Sequence, residues 1–109
     1  MSDLAAGKCV PCEGGVPALS PEEAHRLRAQ LHADWSIGAD SKSLKRAYKF
    51  KDFYRTMSFV NAVAHVANLE DHHPDLEVGY DYCRVTYSTH AIGGLSHNDF
   101  ICAAKIDRL

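Results

Sequence analysis

From Ser20 onward the apolar positions follow two alternating rhythms, helical and strand-like, and their order predicts the fold. Ser20-Pro21-Glu22-Glu23 reads as a helix start, with Ser as N-cap, Pro at the first helical position and Glu23 closing a capping box. This helix is expected to run to about His32, with Ala24, Leu27 and Leu31 on its buried stripe. Trp35–Ile37 is a short strand candidate ahead of a turn at 38–42. In 44–50, Leu44, Arg46, Tyr48 and Phe50 fall on one side and Lys45, Ala47 and Lys49 on the other, the pattern of a half-buried strand.

The strongest helical signal follows Asp52, an expected N-cap. Phe53, Met57, Val60, Ala64 and Ala67 recur at spacings of three and four, flanked by Phe59, Val63 and Val66. This helix must end by His72, because Pro74 disfavours the helical region for His73. Leu76–Tyr80 and Cys83–His90 are expected to form a hairpin around Asp81-Tyr82. In its second strand Val85, Tyr87 and Thr89 share one face, and Arg84, Thr86, Ser88 and His90 share the polar one. Gly93-Gly94 then breaks the chain, and Ser96-His97-Asn98-Asp99 starts a last helix through Phe100, Ala103 and Ala104. The order α-β-β-α-β-β-α predicts an α+β domain, a four-stranded antiparallel sheet with three helices on one face. The other face is left to solvent or a partner subunit.

Composition narrows the picture without changing it. A chain of 109 residues, 46 % apolar and 24 % charged, suits one globular domain. Residues 1–18, with Gly14, Gly15 and Pro17, read as a flexible N-terminal arm, and 19–109 as the domain. A net charge of −2 gives no field that would draw the chain to nucleic acid or an anionic membrane. No apolar run approaches the roughly 18 residues of a membrane span. Residues 1–15 hold one Lys and no apolar core, so no secretory signal is expected and the cytoplasm is the expected setting. Of the four cysteines, Cys9 and Cys12 form a lone C-x-x-C in the arm, read as reduced thiols rather than a metal or redox site. Cys83 and Cys102 read as small apolar fillers.

Glu70-Asp71-His72-His73-Pro74-Asp75 is where chemistry is expected. Two adjacent imidazoles among carboxylates can be surface loop histidines, but a third, His90, ends a strand just downstream. Imidazoles titrate near pH ~6.5 and serve as general acids and bases, and a neighbouring carboxylate fixes the tautomer. A metal site ranks second, because adjacent extended histidines rarely converge on one ion and no H-E-x-x-H spacing occurs. Nucleophilic catalysis ranks lower, as no Ser or Cys has an activating context. Half of the Lys and Arg residues fall between Lys42 and Arg55, interleaved with aromatics. A phosphate or nucleic-acid patch would use them, but a solvated strand face and helix start explains them better.

Asp71-His72-His73-Pro74-Asp75, Tyr80, Ser88-Thr89-His90, Gly94-Leu95 and Asp99, with Trp35, Phe50-Lys51-Asp52-Phe53 and 103–107, resemble the pterin-4a-carbinolamine dehydratases. The resemblance implies the same α+β fold, assembled as a dimer or tetramer. It also implies dehydration of 4a-hydroxytetrahydropterin to quinonoid dihydropterin and water, in pterin recycling for an aromatic amino acid hydroxylase such as one acting on phenylalanine. The implied catalytic residues are His72, His73 and His90, and Asp71, Pro74, Thr89 and Asp99 are implied to bind substrate. Pterin is then substrate, and neither cofactor nor metal is called for. The family commonly carries Glu where this chain has Asn68, so Glu70 or Asp71 is expected to take over any carboxylate role. The alternative reading is a non-catalytic protein-binding module on the same fold, coactivator-like or an assembly chaperone.

Overall fold

A computed structural model describes residues 4–10 and 17–109. Its elements are α1 (Pro21–Arg28), β1 (Ser36–Ile37), β2 (Leu44–Lys49), α2 (Phe53–Glu70), β3 (Asp75–Val78), β4 (Tyr82–Tyr87) and α3 (His97–Ile106). Short 3-10 turns occupy Leu4–Ala6 and His90–Ile92. The strands form one antiparallel sheet in the order β1-β2-β4-β3. The fold is α+β, as the order of elements predicts.

Strand register sets the core. Leu44 lies opposite Tyr87, Tyr48 opposite Cys83, and Val85 between Arg46 and Leu76. Leu44, Cys83, Val85 and Tyr87 are buried, whereas Lys45, Ala47, Lys49 and Arg84 on the other face are exposed. The inner face meets Ala24 and Leu31 at the α1 end, Val63 of α2, and Phe100, Ala103 and Ile106 of α3 in one cluster. From Asn98 to Ala104 every residue of α3 is buried. A helix covered on all sides tolerates few polar residues, so the buried Asn98 and Asp99 call for partners.

The element boundaries depart from expectation for local reasons. Helix α1 stops at Arg28 rather than near His32, and the His32 N–H is taken by Asp107 Oδ2 at 2.9 Å. Asp107 follows α3, and its Oδ1 also accepts from Trp35 Nε1 and Arg46 Nη1, both at 2.8 Å. Three segments therefore converge on one carboxylate, and Arg46 turns inward from the cationic stretch. The other cations of that stretch, Lys42, Lys45, Lys49, Lys51 and Arg55, are exposed. On α2 the buried residues are Thr56, Val63, Val66 and Ala67; Phe53 and Ala64, expected on the stripe, are exposed. Thr56 is drawn inward by Oγ1–H donation to the Tyr80 carbonyl at 2.9 Å, with Asp52 O also in reach. The hairpin turns earlier than predicted, at 79–81. Gly79 lets the Tyr82 ring lie over the turn, since a Cβ there would come to 2.0 Å from the ring and displace it.

Strand β4 ends at Tyr87 rather than His90. Thr89 pairs with Gly94 as an isolated bridge, and Gly93 closes the intervening 3-10 turn at φ +64°, a left-handed conformation suited to glycine. His90 therefore stands on a turn rather than on a strand's polar face. The N-terminal segment also differs from a free arm. Leu4, Ala5 and Cys9 pack against the core, and Lys105 Nζ donates to the Ala5 carbonyl at 2.7 Å. Cys12, Gly14 and Gly15 lie outside the described residues.

Candidate active site

The end of α2 aims the histidine pair. Asp71 takes a left-handed conformation (φ 51°, ψ 41°), while the N–H of His72 bonds back to Ala67 O and that of Asp71 to Asn68 O. This is a Schellman closure with Asp in the position glycine usually fills. The chain reverses sharply there, and Pro74 keeps His73 from continuing the helix. His72 turns inward, with its side chain 13 % exposed, and stacks on Tyr87 at 5.6 Å between ring centroids and 6° between planes. His73 turns outward.

Beneath His72 lies Asp99, fully buried. Its Oδ1 is 2.6 Å from His72 Nε2, and its Oδ2 accepts from Thr89 Oγ1 at 2.8 Å and from the Ser96 N–H at 2.9 Å. Asp99 is thus both a cap of α3 and the orienting carboxylate of a histidine. Burial lowers the basicity of His72, but the hydrogen bond and charge of Asp99 outweigh it, so its pKa is raised above the ordinary 6.5.

His73 Nε2 lies 3.1 Å from Asn68 Oδ1, so the amide at the departure position orients an imidazole itself. Glu70 does not take that part. Its Oε1 accepts the Cys9 N–H at 2.9 Å, and its Oε2 faces Lys8 at 3.6 Å and Lys105 at 3.9 Å. The Cys9 hydrogen bond, opposed by burial and helped by the two lysines, holds the Glu70 carboxyl below its usual range.

His72, His73 and His90 line one cavity of about 660 Å³, together with Asp71, Glu70 and Thr89. That volume suits a small-molecule site, for which roughly 300–1,000 Å³ is typical. Cys9, Val10 and Asn98 line it too, which the sequence does not predict. No local pattern places them at the cavity, because the arm meets α3 only in the folded chain. Neither the half-buried Pro74 nor the fully buried Asp99 is among the lining residues, and Asp99 is bonded to two that are, His72 and Thr89. Among the described residues no three His, Cys, Asp or Glu side chains are grouped to hold a metal ion.

Known proteins share this arrangement's frame. The family model described as pterin 4 alpha carbinolamine dehydratase matches residues 17–109. A relative from Legionella pneumophila (strain Corby), named for that dehydratase, is 57 % identical over 99 % of this chain and 96 % of its own. One from Nitrosomonas europaea with the same name is 62 % identical over 98 % of this chain and 93 % of its own. A solved structure from Brucella melitensis, named transcriptional coactivator/pterin dehydratase, superposes with a TM-score of 0.78 at 28 % identity, covering 84 % of this chain and 96 % of that one. The chain belongs to the pterin-4-alpha-carbinolamine dehydratase family.

Proposed function

We propose that this protein is a hydro-lyase that dehydrates 4a-hydroxytetrahydropterin to quinonoid dihydropterin and water by histidine general acid–base catalysis. The observation that carries the reading is the convergence of His72, His73 and His90 on one cavity, with buried Asp99 behind His72. In the reaction the N5 lone pair forms the C4a–N5 double bond as the C4a–O bond breaks. The departing oxygen takes a proton and leaves as water, and the cationic ring then loses an N–H proton to a base.

His72 is the acid in this reading. Its raised pKa keeps a proton available near neutrality, and Asp99 on Nε2 leaves Nδ1 for the leaving oxygen. His90, exposed on the facing turn, accepts the ring proton. His73, steered by Asn68, hydrogen-bonds the pterin, while Asp71 and Thr89 line the pocket around it and Pro74 fixes the loop that carries the pair. Positioned imidazoles contribute roughly 10²–10⁴-fold each to such transfers. Neither metal nor cofactor is needed, so a chelator should leave turnover unchanged.

The substrate arises when an aromatic amino acid hydroxylase spends tetrahydropterin, so the functional partner is such a hydroxylase, in the cytoplasm. Among the described residues no helix is long and apolar enough to cross a membrane. Self-association as a homodimer or homotetramer has a candidate surface in Phe53 and Tyr80, stacked at 6.2 Å yet 49 % and 66 % exposed, beside Tyr54 at 87 %. The same patch favours the second reading, a protein-binding module like the coactivator half of the Brucella protein's name.

The deciding assay generates the 4a-hydroxypterin with a hydroxylase and follows its loss spectroscopically. Wild type should accelerate that loss, and His72→Ala should be at least tenfold slower at matched folding. Equal rates with and without wild-type protein would leave only the binding-module reading.

A further inference from the structure

One cluster beside the cavity takes no part in the dehydration. Residues 4–10 lie along α3 and the end of α2, tied down at both ends of the segment. Lys105 holds Ala5, Glu70 holds the Cys9 N–H, and the Asn98 amide pairs twice with Val10, donating to its carbonyl at 2.6 Å and accepting its N–H at 3.1 Å. This docking carries Cys9 Sγ to 3.5 Å from Cys102 Sγ, across 93 positions of sequence. Both are free thiols, Cys102 fully buried and Cys9 half-buried in the cavity wall.

We propose that Cys9 and Cys102 are a dithiol oxidised by small hydroperoxides, whose disulfide latches segment 4–10 as a fixed wall of the histidine cavity. A disulfide needs about 2.05 Å between sulfurs, so the pair must close by roughly 1.5 Å. Cys9 sits on a hydrogen-bonded strap and Cys102 inside α3.

The two sulfurs have different parts. Cys9 lines the cavity and is the sulfur that peroxide meets, whereas Cys102 is fully buried behind it. Either sulfur can donate in the contact between them, so a proton held by Cys102 leaves the Cys9 thiolate facing the cavity. That thiolate attacks one oxygen of hydrogen peroxide, the O–O bond breaks, and hydroxide leaves to become water with the proton the pair gave up. Cys9 is then a sulfenic acid, oxidised by two electrons. Cys102 attacks that sulfur, the S–O bond breaks, and hydroxide leaves with the Cys102 proton as a second water. Two thiols and one peroxide thus give one disulfide and two waters.

The test treats the full-length protein with one equivalent of hydrogen peroxide and maps its sulfur connectivity by non-reducing peptide mass spectrometry. The expected result is a Cys9–Cys102 cross-link, with titratable thiols falling from four to two. The link should persist in Cys12→Ser and disappear in Cys9→Ser, and amide exchange at Cys9 and Val10 should slow at least tenfold on oxidation. A Cys9–Cys12 link in its place, no link in Cys12→Ser, or unchanged exchange in the oxidised protein overturns the proposal. These readouts are independent of turnover, so the latch stands or falls apart from the assigned reaction.

Discussion

His72 Nε2 lies 2.6 Å from Oδ1 of Asp99, a carboxylate without solvent exposure that is also bonded to Thr89 and Ser96. The carboxylate is fixed by α3 and by the chain after β4, so the imidazole inherits the rigidity of the core rather than of its own loop. Asp99→Asn removes the charge while keeping the shape. Turnover should fall at least tenfold, with the alkaline limb of the pH–rate profile moving to lower pH as His72, the proton donor, becomes less basic. A change in turnover with an unmoved profile would make Asp99 a structural residue only.

Stability should carry the same signature. The folded pKa of His72 is raised, so the folded state holds its proton to higher pH than the unfolded chain does. The resulting stabilisation is complete below the unfolded value near 6.5 and is lost as pH rises through the folded value. Denaturant midpoints of wild type and His72→Gln, measured at pH 5.5 and pH 9, should therefore differ more at the lower pH. A difference that grows with pH would reverse the sign.

Asn68 steers His73 through one exposed hydrogen bond of 3.1 Å. Such a bond is worth about 0.5–1.5 kcal/mol, or roughly two- to tenfold in binding. Asn68→Ala should raise KM for the hydroxypterin within that range and leave kcat within about threefold. Initial-rate kinetics across substrate concentration separates the two, and a kcat collapse would place His73 in proton transfer.

Asp107 gathers the His32 N–H, the Trp35 indole and Arg46, whose guanidinium side chain is only 14 % exposed. Asp107→Ala leaves three donors without their acceptor, one of them charged and largely covered. Stability should fall by about 2–4 kcal/mol, read from urea unfolding at constant m-value. A loss under about 0.5 kcal/mol would mean that water replaces the carboxylate.

Asn98→Ala removes both bonds to Val10 and should free the strap. Limited proteolysis of the reduced protein should then cleave within residues 4–10 at least several times faster than in wild type. Unchanged cleavage would show that Leu4 and Lys105 hold the segment without Asn98.

The sequence alone determined what neighbouring residues decide among themselves. The Ser20 and Asp52 caps, the alternation in β2, the break at Pro74 and the order of elements all depend on interactions within about four positions, so periodicity and capping expose them. The same range brought out the His72-His73 pair and its carboxylates. What the sequence leaves open are pairings across distance: Asp99 with His72 over 27 positions, Asp107 with Trp35 over 72, and Cys9 with Cys102 over 93. It also leaves open which side of α2 is buried, since both Phe53 and Thr56 satisfy a helical period and only the Tyr80 carbonyl favours Thr56. Local propensity carries no information about which distant carboxylate, amide or thiol will meet a given group. That choice is made when the sheet's register and the packing of α3 bring those groups together, since a buried polar atom must find a partner within hydrogen-bonding reach.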